Sequence, residues 1–237
     1  NAGENWGAEP SALAVDRSGN VYVTGFSGVS SYTVKYDPDG KEIWGARYLG
    51  VPIYRAKALA VDRGGNVYVT GSSWIDQGQW RSATPGHYIT LKYDPQGREV
   101  WAAHWPGPEA TGSEAEALAV DADGNVYVTG STGSVGDLGE WLVRDYATVK
   151  YGPDGRELWA ARYDGGHGDR AAALGVDASG NVCVTGLSWR AEGGDLRDCA
   201  TVKYDRDGRE LWVARDDAPA TRFPFTARNV NRCVATF

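Results

Sequence analysis

The sequence predicts an all-β chain assembled from four tandem copies of one four-stranded unit. Three observations carry this: a motif that returns four times, a two-residue apolar alternation inside it, and a composition of turn formers and large flat rings. Ala-Leu-Ala-Val-Asp begins at Ala12, Ala58 and Ala117 and returns as Ala-Leu-Gly-Val-Asp at Ala173, spacings of 46, 59 and 56 residues. Each copy runs into Gly-Asn-Val-x-Val-Thr-Gly, over residues 19–25, 65–71, 124–130 and 180–186. The chain holds 32 Gly and 10 Trp but only 4 Phe, a balance that favours turns and sheets.

Each unit reads as strands A to D. Strand A is the Ala-Leu-Ala-Val run. Strand B is Asn-Val-Tyr-Val-Thr, alternating at the period of a sheet. Strand C is the Thr-Val/Leu-Lys-Tyr segment from Thr33, Thr90, Thr148 and Thr201, and strand D carries Trp44, Trp101, Trp159 or Trp212. The A–B link Asp-x-x-Gly-Asn suits a short hairpin turn with Gly at positive φ. The C–D link Asp37-Pro38-Asp39-Gly40 suits a type I turn followed by a left-handed Gly.

Four-stranded units at this spacing fit the blades of a β-propeller. The slim strand A suits an innermost position and the Trp of strand D an outermost one. The blades then run about 1–48, 49–104, 105–162 and 163–216 in one domain over 1–216. Residues 217–237 break the pattern and read as a closing strand or the degenerate start of a fifth blade. Across residues 11–216 the repeated Ala-Leu-Ala-Val-Asp-x-x-Gly-Asn-Val-Tyr-Val-Thr-Gly resembles the bacterial seven-bladed β-propeller repeat (SBBP repeat). The resemblance implies bacterial origin and export to the cell surface or medium, and it implies no shared catalytic activity. Four units stand where the family name expects seven. They form either a four-bladed ring or part of a larger propeller, which a homo-oligomer would complete.

Composition narrows the partners. A formal charge of -7 with no clustered Lys/Arg run argues against nucleic acid. No apolar run approaches the roughly 18 residues of a membrane span, so no membrane insertion is expected.

In a propeller the A–B and C–D hairpins open at one end of each blade, and the B–C and D–A connections at the other. The hairpins are nearly identical among the four copies, whereas the B–C and D–A connections vary in length and content. The six Trp residues outside strand D, namely Trp6, Trp74, Trp80, Trp105, Trp141 and Trp189, all lie in or at the edge of the variable connections. With Arg55, Arg81, Arg144 and Arg190 nearby in sequence, they offer flat apolar plates among cations, suited to a glycan or a protein. The same rings also suit packing down the long loops. The candidate ligand-binding set is therefore Trp74, Trp80, Trp141 and Trp189 with Arg55, Arg81, Arg144 and Arg190.

The chemical motifs give less. Asp121-Ala-Asp123-Gly-Asn125 lacks the later Gly and Glu of a calcium loop and reads as a hairpin, and no metal site is expected. The Gly40-to-Trp44 spacing resembles the tryptophan-docking motif of quinoprotein propellers, but Trp can dock on a neighbouring turn unaided, and no cofactor is expected. His87 and His167 fall in variable connections and His104 on a strand surface. His167 sits in a loop flanked by Asp164 and Asp169, where a solvated role outweighs metal or acid–base work. No catalytic residue emerges. Cys183 replaces the Tyr of strand B, and Cys199 replaces Ser31, Tyr88 or Tyr146 of strand C. The paired exchange points to a Cys183–Cys199 disulfide, with two buried thiols as the other reading and Cys233 unpaired. The expected function is a non-catalytic binding or scaffold propeller of an exported bacterial protein. The rivals are a polysaccharide lyase or hydrolase using the same end of the blades, and a purely structural array or fragment.

Overall fold

The computed structural model describes residues 8–27, 30–51, 54–75, 84–107, 112–133, 144–166, 168–189 and 197–216. These hold sixteen strands and no helix. Sheet one is β1 (Ala8–Val15), β2 (Val21–Ser27), β3 (Ser30–Tyr36) and β4 (Glu42–Tyr48). Sheet two is β5 (Tyr54–Val61), β6 (Val67–Ile75), β7 (Thr84–Tyr93) and β8 (Glu99–Trp105). Sheet three is β9 (Ser113–Val120), β10 (Val126–Thr132), β11 (Asp145–Tyr151) and β12 (Glu157–Tyr163). Sheet four is β13 (Asp169–Val176), β14 (Val182–Trp189), β15 (Arg197–Tyr204) and β16 (Glu210–Asp216). Each is an antiparallel meander in chain order, the blade unit expected of strands A to D. The chain divides into two compact units, Asn1–Ala115 and Glu116–Phe237. The 217–237 tail lies outside the described residues.

The A–B turn is held by its Asp. Asp121 accepts hydrogen bonds from the Asp123 and Asn125 amides at 2.9 Å, from Asn125 Nδ2 at 2.7 Å and from the Tyr127 hydroxyl at 3.0 Å. Asp16 and Asp62 are held the same way, by Asn20 with Tyr22 and by Asn66 with Tyr68. Both oxygens of Asp121 are thus used by the turn. Over each of these Tyr rings lies the strand C Lys directly opposite in register: Lys35 over Tyr22 at 5.1 Å, Lys92 over Tyr68 at 5.3 Å and Lys150 over Tyr127 at 5.0 Å. In the fourth sheet Cys183 stands in the Tyr position, and Lys203 reaches past it to Asp177 at 3.1 Å.

Strands B and C share a buried threonine rung. Thr24–Thr33, Thr70–Thr90, Thr129–Thr148 and Thr185–Thr201 pair their hydroxyls at 2.9–3.1 Å. Each strand B Thr also donates to a strand C carbonyl, so neither hydroxyl of the rung is left unpaired in the core. The Gly that follows is required by close approach. A Cβ at Gly71 would fall on the Arg55 carbonyl where strand A bulges between Ala56 and Ala58.

Within each unit, one sheet packs its face against the next. In the first unit Tyr22, Tyr48, Tyr54, Val67, Val69, Ile89 and Leu91 form the core between sheets one and two, with Trp44 packed against it. In the second, Tyr127, Tyr146, Tyr163, Val182, Val184, Val202 and Tyr204 do the same, with Trp159. The indole of Trp44 donates to the Pro95 carbonyl at 3.1 Å, in the C–D turn of the next sheet, and its ring covers Gly97. Trp159 repeats this on the Arg206 carbonyl at 3.0 Å, over Gly208. The strand D Trp therefore closes a blade-to-blade contact. Trp212, at the same position in β16, is 45% exposed.

Two outcomes follow. Gly40 and Gly97 have φ near +80°, but a Cβ at Gly97 would press into the Trp44 ring whereas one at Gly40 meets nothing within 4 Å. Gly40→Ala should cost about 1–2 kcal/mol of left-handed strain, and Gly97→Ala about 1–3 kcal/mol more from the lost docking. Urea denaturation of the two variants measures the difference. For pH, burial disfavours the Asp121 charge, but the bonds from Asn125, Tyr127 and Asp123 outweigh it and leave the pKa lowered. Asp16 and Asp62 behave alike. A lowered folded pKa gives stability that is full above about pH 4 and is lost as pH falls through the folded value. Asp121→Asn should therefore flatten the acid limb of stability against pH, read by thermal melts between about pH 2 and 5.

Candidate functional site

Antiparallel order places the B–C and D–A connections together at the end of each sheet opposite the satisfied turns. In the second unit this end gathers polar groups that the fold does not fully pair. Asp145 opens β11, straight after the long B–C connection of sheet three. Asp164 follows β12, and Asp169 opens β13 at the close of the D–A connection. One oxygen from each carboxylate lies within 4.8 Å of the others. Asp145 and Asp169 are buried, at 0% and 1% exposure, and Asp164 is exposed.

The backbone explains the gathering. The Asp169 amide donates to the Arg144 carbonyl at 2.6 Å, which ties the start of β13 to the residue before β11. The Gly165 amide donates to Asp169 Oδ2 at 2.5 Å, and the Gly166 amide to Asp164 Oδ1 at 2.8 Å, so the D–A connection curls over its own carboxylates. A Cβ at Gly165 would come within 2.6 Å of Ser188 Oγ, Arg215 Nη2 and Asp169 Oδ1, so the bare glycine faces all three atoms.

Two guanidiniums partly offset the charge. Arg162 forms an ion pair with Asp145, its Nε donating to Oδ2 at 2.6 Å. Arg215 donates to the Tyr163 hydroxyl at 3.0 Å and to the Gly165 carbonyl at 2.9 Å, both neutral acceptors. Burial raises the pKa of Asp145 against the opposing pull of Arg162, with Asp164 and Asp169 adding repulsion. Burial likewise raises that of Asp169, against Ser188, the Gly165 amide and Arg215. Ser188 lies near enough to favour the ionised Asp169. Yet Ser188 Oγ, Asp169 Oδ1 and Asp145 Oδ1 are all buried without a partner at hydrogen-bond geometry.

The residues singled out from sequence fare unevenly. Trp189 closes β14 at this end, half-buried, its amide bonded to the Gly168 carbonyl at 3.3 Å. Arg144 lies here too, through its carbonyl. Arg55 is exposed in the first unit, its guanidinium 5.1 Å over the Phe26 ring. Trp74 lies in β6, opposite Pro85. Trp80, Arg81, Trp141 and Arg190 lie outside the described residues, as do Trp6 and His167. Trp105 is buried against Tyr88 at 4.9 Å, a packing residue. His104 bonds the Tyr48 hydroxyl at 2.9 Å, and burial lowers its pKa.

The Cys183–Cys199 disulfide expected from sequence is overturned. Cys183 is a free thiol, and Cys199 is disulfide-bonded elsewhere. Cys183 faces Lys203 and Cys199 faces Leu187, four positions apart in register. At about 3.3 Å per residue that is roughly 13 Å, twice the reach of a disulfide. The two exchanges share a strand pair but not a contact. Cys233 lies outside the described residues.

Sequence reasoning also missed the carboxylate cluster. It noted Asp164 and Asp169 as flanks of a loop but did not join Asp145 to them. The signal was departure from the repeat: Asp169 stands where the other copies have Ala8, Tyr54 and Ser113, and Asp145 where two of them have Ser30 and His87.

The fold agrees with the known proteins this chain is similar to. A family model described as beta-propeller repeat (SBBP) matches residues 45–77 and 112–138. The chain is 26% identical over 130 residues, 42% of its length, to an uncharacterized WD repeat-containing protein of Acanthamoeba polyphaga mimivirus, of which the match covers 9%. Among solved structures, an apocarotenoid oxygenase of Synechocystis is similar over 88% of this chain and 50% of its own, with a TM-score of 0.54 and 11% identity. A gluconolactonase of Xanthomonas campestris is similar over 90% and 63%, with a TM-score of 0.48 and 16% identity. The chain thus spans about half the length of the oxygenase, and at this identity the likeness is one of fold. The class is a β-propeller repeat protein. Two stretches of this chain carry the SBBP repeat itself.

A double-mutant cycle tests the site's electrostatics. The side chain of Asp145 is fully buried and that of Arg162 is 44% exposed. Arg162→Ala strands a buried carboxylate and should cost about 2–4 kcal/mol, less than a fully buried pair because water reaches the guanidinium. Adding Asp145→Ala should return part of that loss. Additive losses in chemical denaturation would show that the two side chains act independently.

Proposed function

We propose that this is a non-catalytic ligand-binding propeller of an exported bacterial protein. Its binding surface is the B–C/D–A end of the blades, and its ligand is a glycan or a protein. One observation carries the reading: the carboxylates at the two ends of the sheets are unlike. At the hairpin end, Asp16, Asp62 and Asp121 spend their carboxylates on their own turns. At the other end Asp145, Asp169 and Ser188 keep oxygens without partners beside Trp189. Buried polar groups in folded proteins are paired, and groups left open at a loop end mark a place where something else supplies the partner. Trp6, Trp74, Trp80, Trp141 and Trp189 fall by sequence in or beside the same class of connection, and rings with neighbouring hydrogen-bonding groups suit sugars.

An inverting glycosidase is disfavoured by spacing, since its two carboxylates stand about 6.5–9.5 Å apart to admit a water, whereas these lie within 4.8 Å of one another. Export is supported by the disulfide at Cys199, since such bonds persist in oxidising compartments.

A glycan array with the purified chain is the test. Trp189→Ala should weaken binding of any ligand found by about 5-fold or more, the worth of one buried ring face at roughly 1 kcal/mol, with the melting temperature nearly unchanged. Trp74→Ala, Trp80→Ala and Trp141→Ala complete the series. Full affinity in all four variants would overturn the aromatic-surface reading, as would a loss that only follows a lowered melting temperature.

A further inference from the structure

We propose that Asp145, Asp164 and Asp169, with Ser188 Oγ, hold one hard divalent cation of the Ca2+ class. This goes beyond the binding reading above and does not depend on a glycan being found.

The geometry comes first. Ca2+ takes oxygen ligands at about 2.3–2.6 Å, so two ligands of one ion stand at most about 4.6–5.2 Å apart. Three carboxylate oxygens mutually within 4.8 Å can all reach a single ion. Acidic groups often cluster without a metal, and a second observation separates this cluster from those. Asp145 Oδ1, Asp169 Oδ1 and Ser188 Oγ are buried and unpartnered. Ser188 is not acidic and owes its place to β14, yet its hydroxyl faces the same glycine as Asp169 Oδ1. A fold that leaves three buried oxygens open at one place has left them to an electrophile.

Charge agrees. Arg162 occupies Asp145 from the Oδ2 side, leaving Oδ1 open. Arg215 donates hydrogen bonds to the Tyr163 hydroxyl and the Gly165 carbonyl. Two buried carboxylates and an exposed third therefore exceed the positive charge bonded to them, and a divalent ion would make up the balance. The donor set is oxygen throughout, which selects Ca2+ or Mg2+ over thiolate- and imidazole-seeking metals. Its irregular origin, from two strand starts, one connection and β14, suits the flexible coordination of Ca2+ better than the strict octahedron of Mg2+.

The site also has a structural role. Its ligands come from sheets three and four, so an ion would clamp the D–A connection to the start of β11. It would also order the end of the sheets where Trp189 lies.

The experiment uses the full chain, stripped with EDTA. Calorimetric titration with Ca2+ and terbium luminescence sensitised by the nearby Tyr and Trp rings should report one site. Affinity should fall in the range of extracellular calcium modules, about 10⁻⁴–10⁻³ M, with a raised melting temperature. Asp164→Asn changes an exposed side chain, should fold as the parent does, and should weaken binding at least about 10-fold, since it removes one charged ligand of three. Asp123→Ala, in the A–B turn of sheet three, should leave binding unchanged. No heat, luminescence or thermal shift up to about 10 mM Ca2+ or Mg2+ overturns the proposal, as does binding that survives both Asp164→Asn and Asp169→Asn. Either result would make the cluster a buried polar network held by Arg162 and Arg215 alone.

Discussion

The contact on which the sheets of each unit depend is the indole of strand D seated on the next C–D turn. Trp44 on Pro95 and Trp159 on Arg206 each combine a hydrogen bond with a ring laid over a glycine. That single placement accounts for several repeated residues at once. The turn needs Gly both for positive φ and for the missing Cβ. The Trp sits on the last strand, from which its indole reaches the neighbour's turn, and in the second unit Lys150 of strand C donates to the same carbonyl at 3.1 Å. The tyrosines of strands B and C then fill the space beneath, as Tyr22 and Tyr93 do on either side of Trp44 at 6.2 and 6.3 Å.

With packing settled by repeated residues, the opposite end of the sheets is free to differ. Loop-end residues carry no shared packing duty, so substitutions there change chemistry without unseating a blade. The carboxylate cluster is such a departure. It uses two first-in-strand positions and one connection, with Asp164 and Asp169 held by backbone amides and Asp145 by Arg162, and it costs the fold two buried charges. A cost of that kind, paired on one side by Arg162 and open on the other, is the mark of a site rather than of packing.

Most of the architecture was legible because it is written four times. Repetition reveals strand order, turn chemistry and the Trp of strand D without an alignment, since the copies align with each other. What occurs once was harder to read. The Cys183 exchange suggested a partner by analogy with Cys199, but the true neighbour of position 183 is Lys203, and only register shows that. Asp145 and Asp169 are 24 residues apart and belong to different sheets, so no local pattern joins them. Their meeting is a product of sheet-on-sheet packing within the second unit.

The replaced tyrosine also changes what kind of force holds the fourth A–B turn. In the first three sheets a neutral hydroxyl tethers the turn Asp, and the Lys rests on the aromatic ring. In the fourth, the tether is an ion pair between Lys203 and Asp177 near the surface. Charges so placed are screened within a Debye length of about 8–10 Å at ordinary salt, whereas hydroxyl bonds are nearly indifferent to it. The four A–B turns, nearly alike in outline, therefore differ in what ionic strength can reach: salt screens the lysine tether of the last and leaves the hydroxyl tethers of the first three.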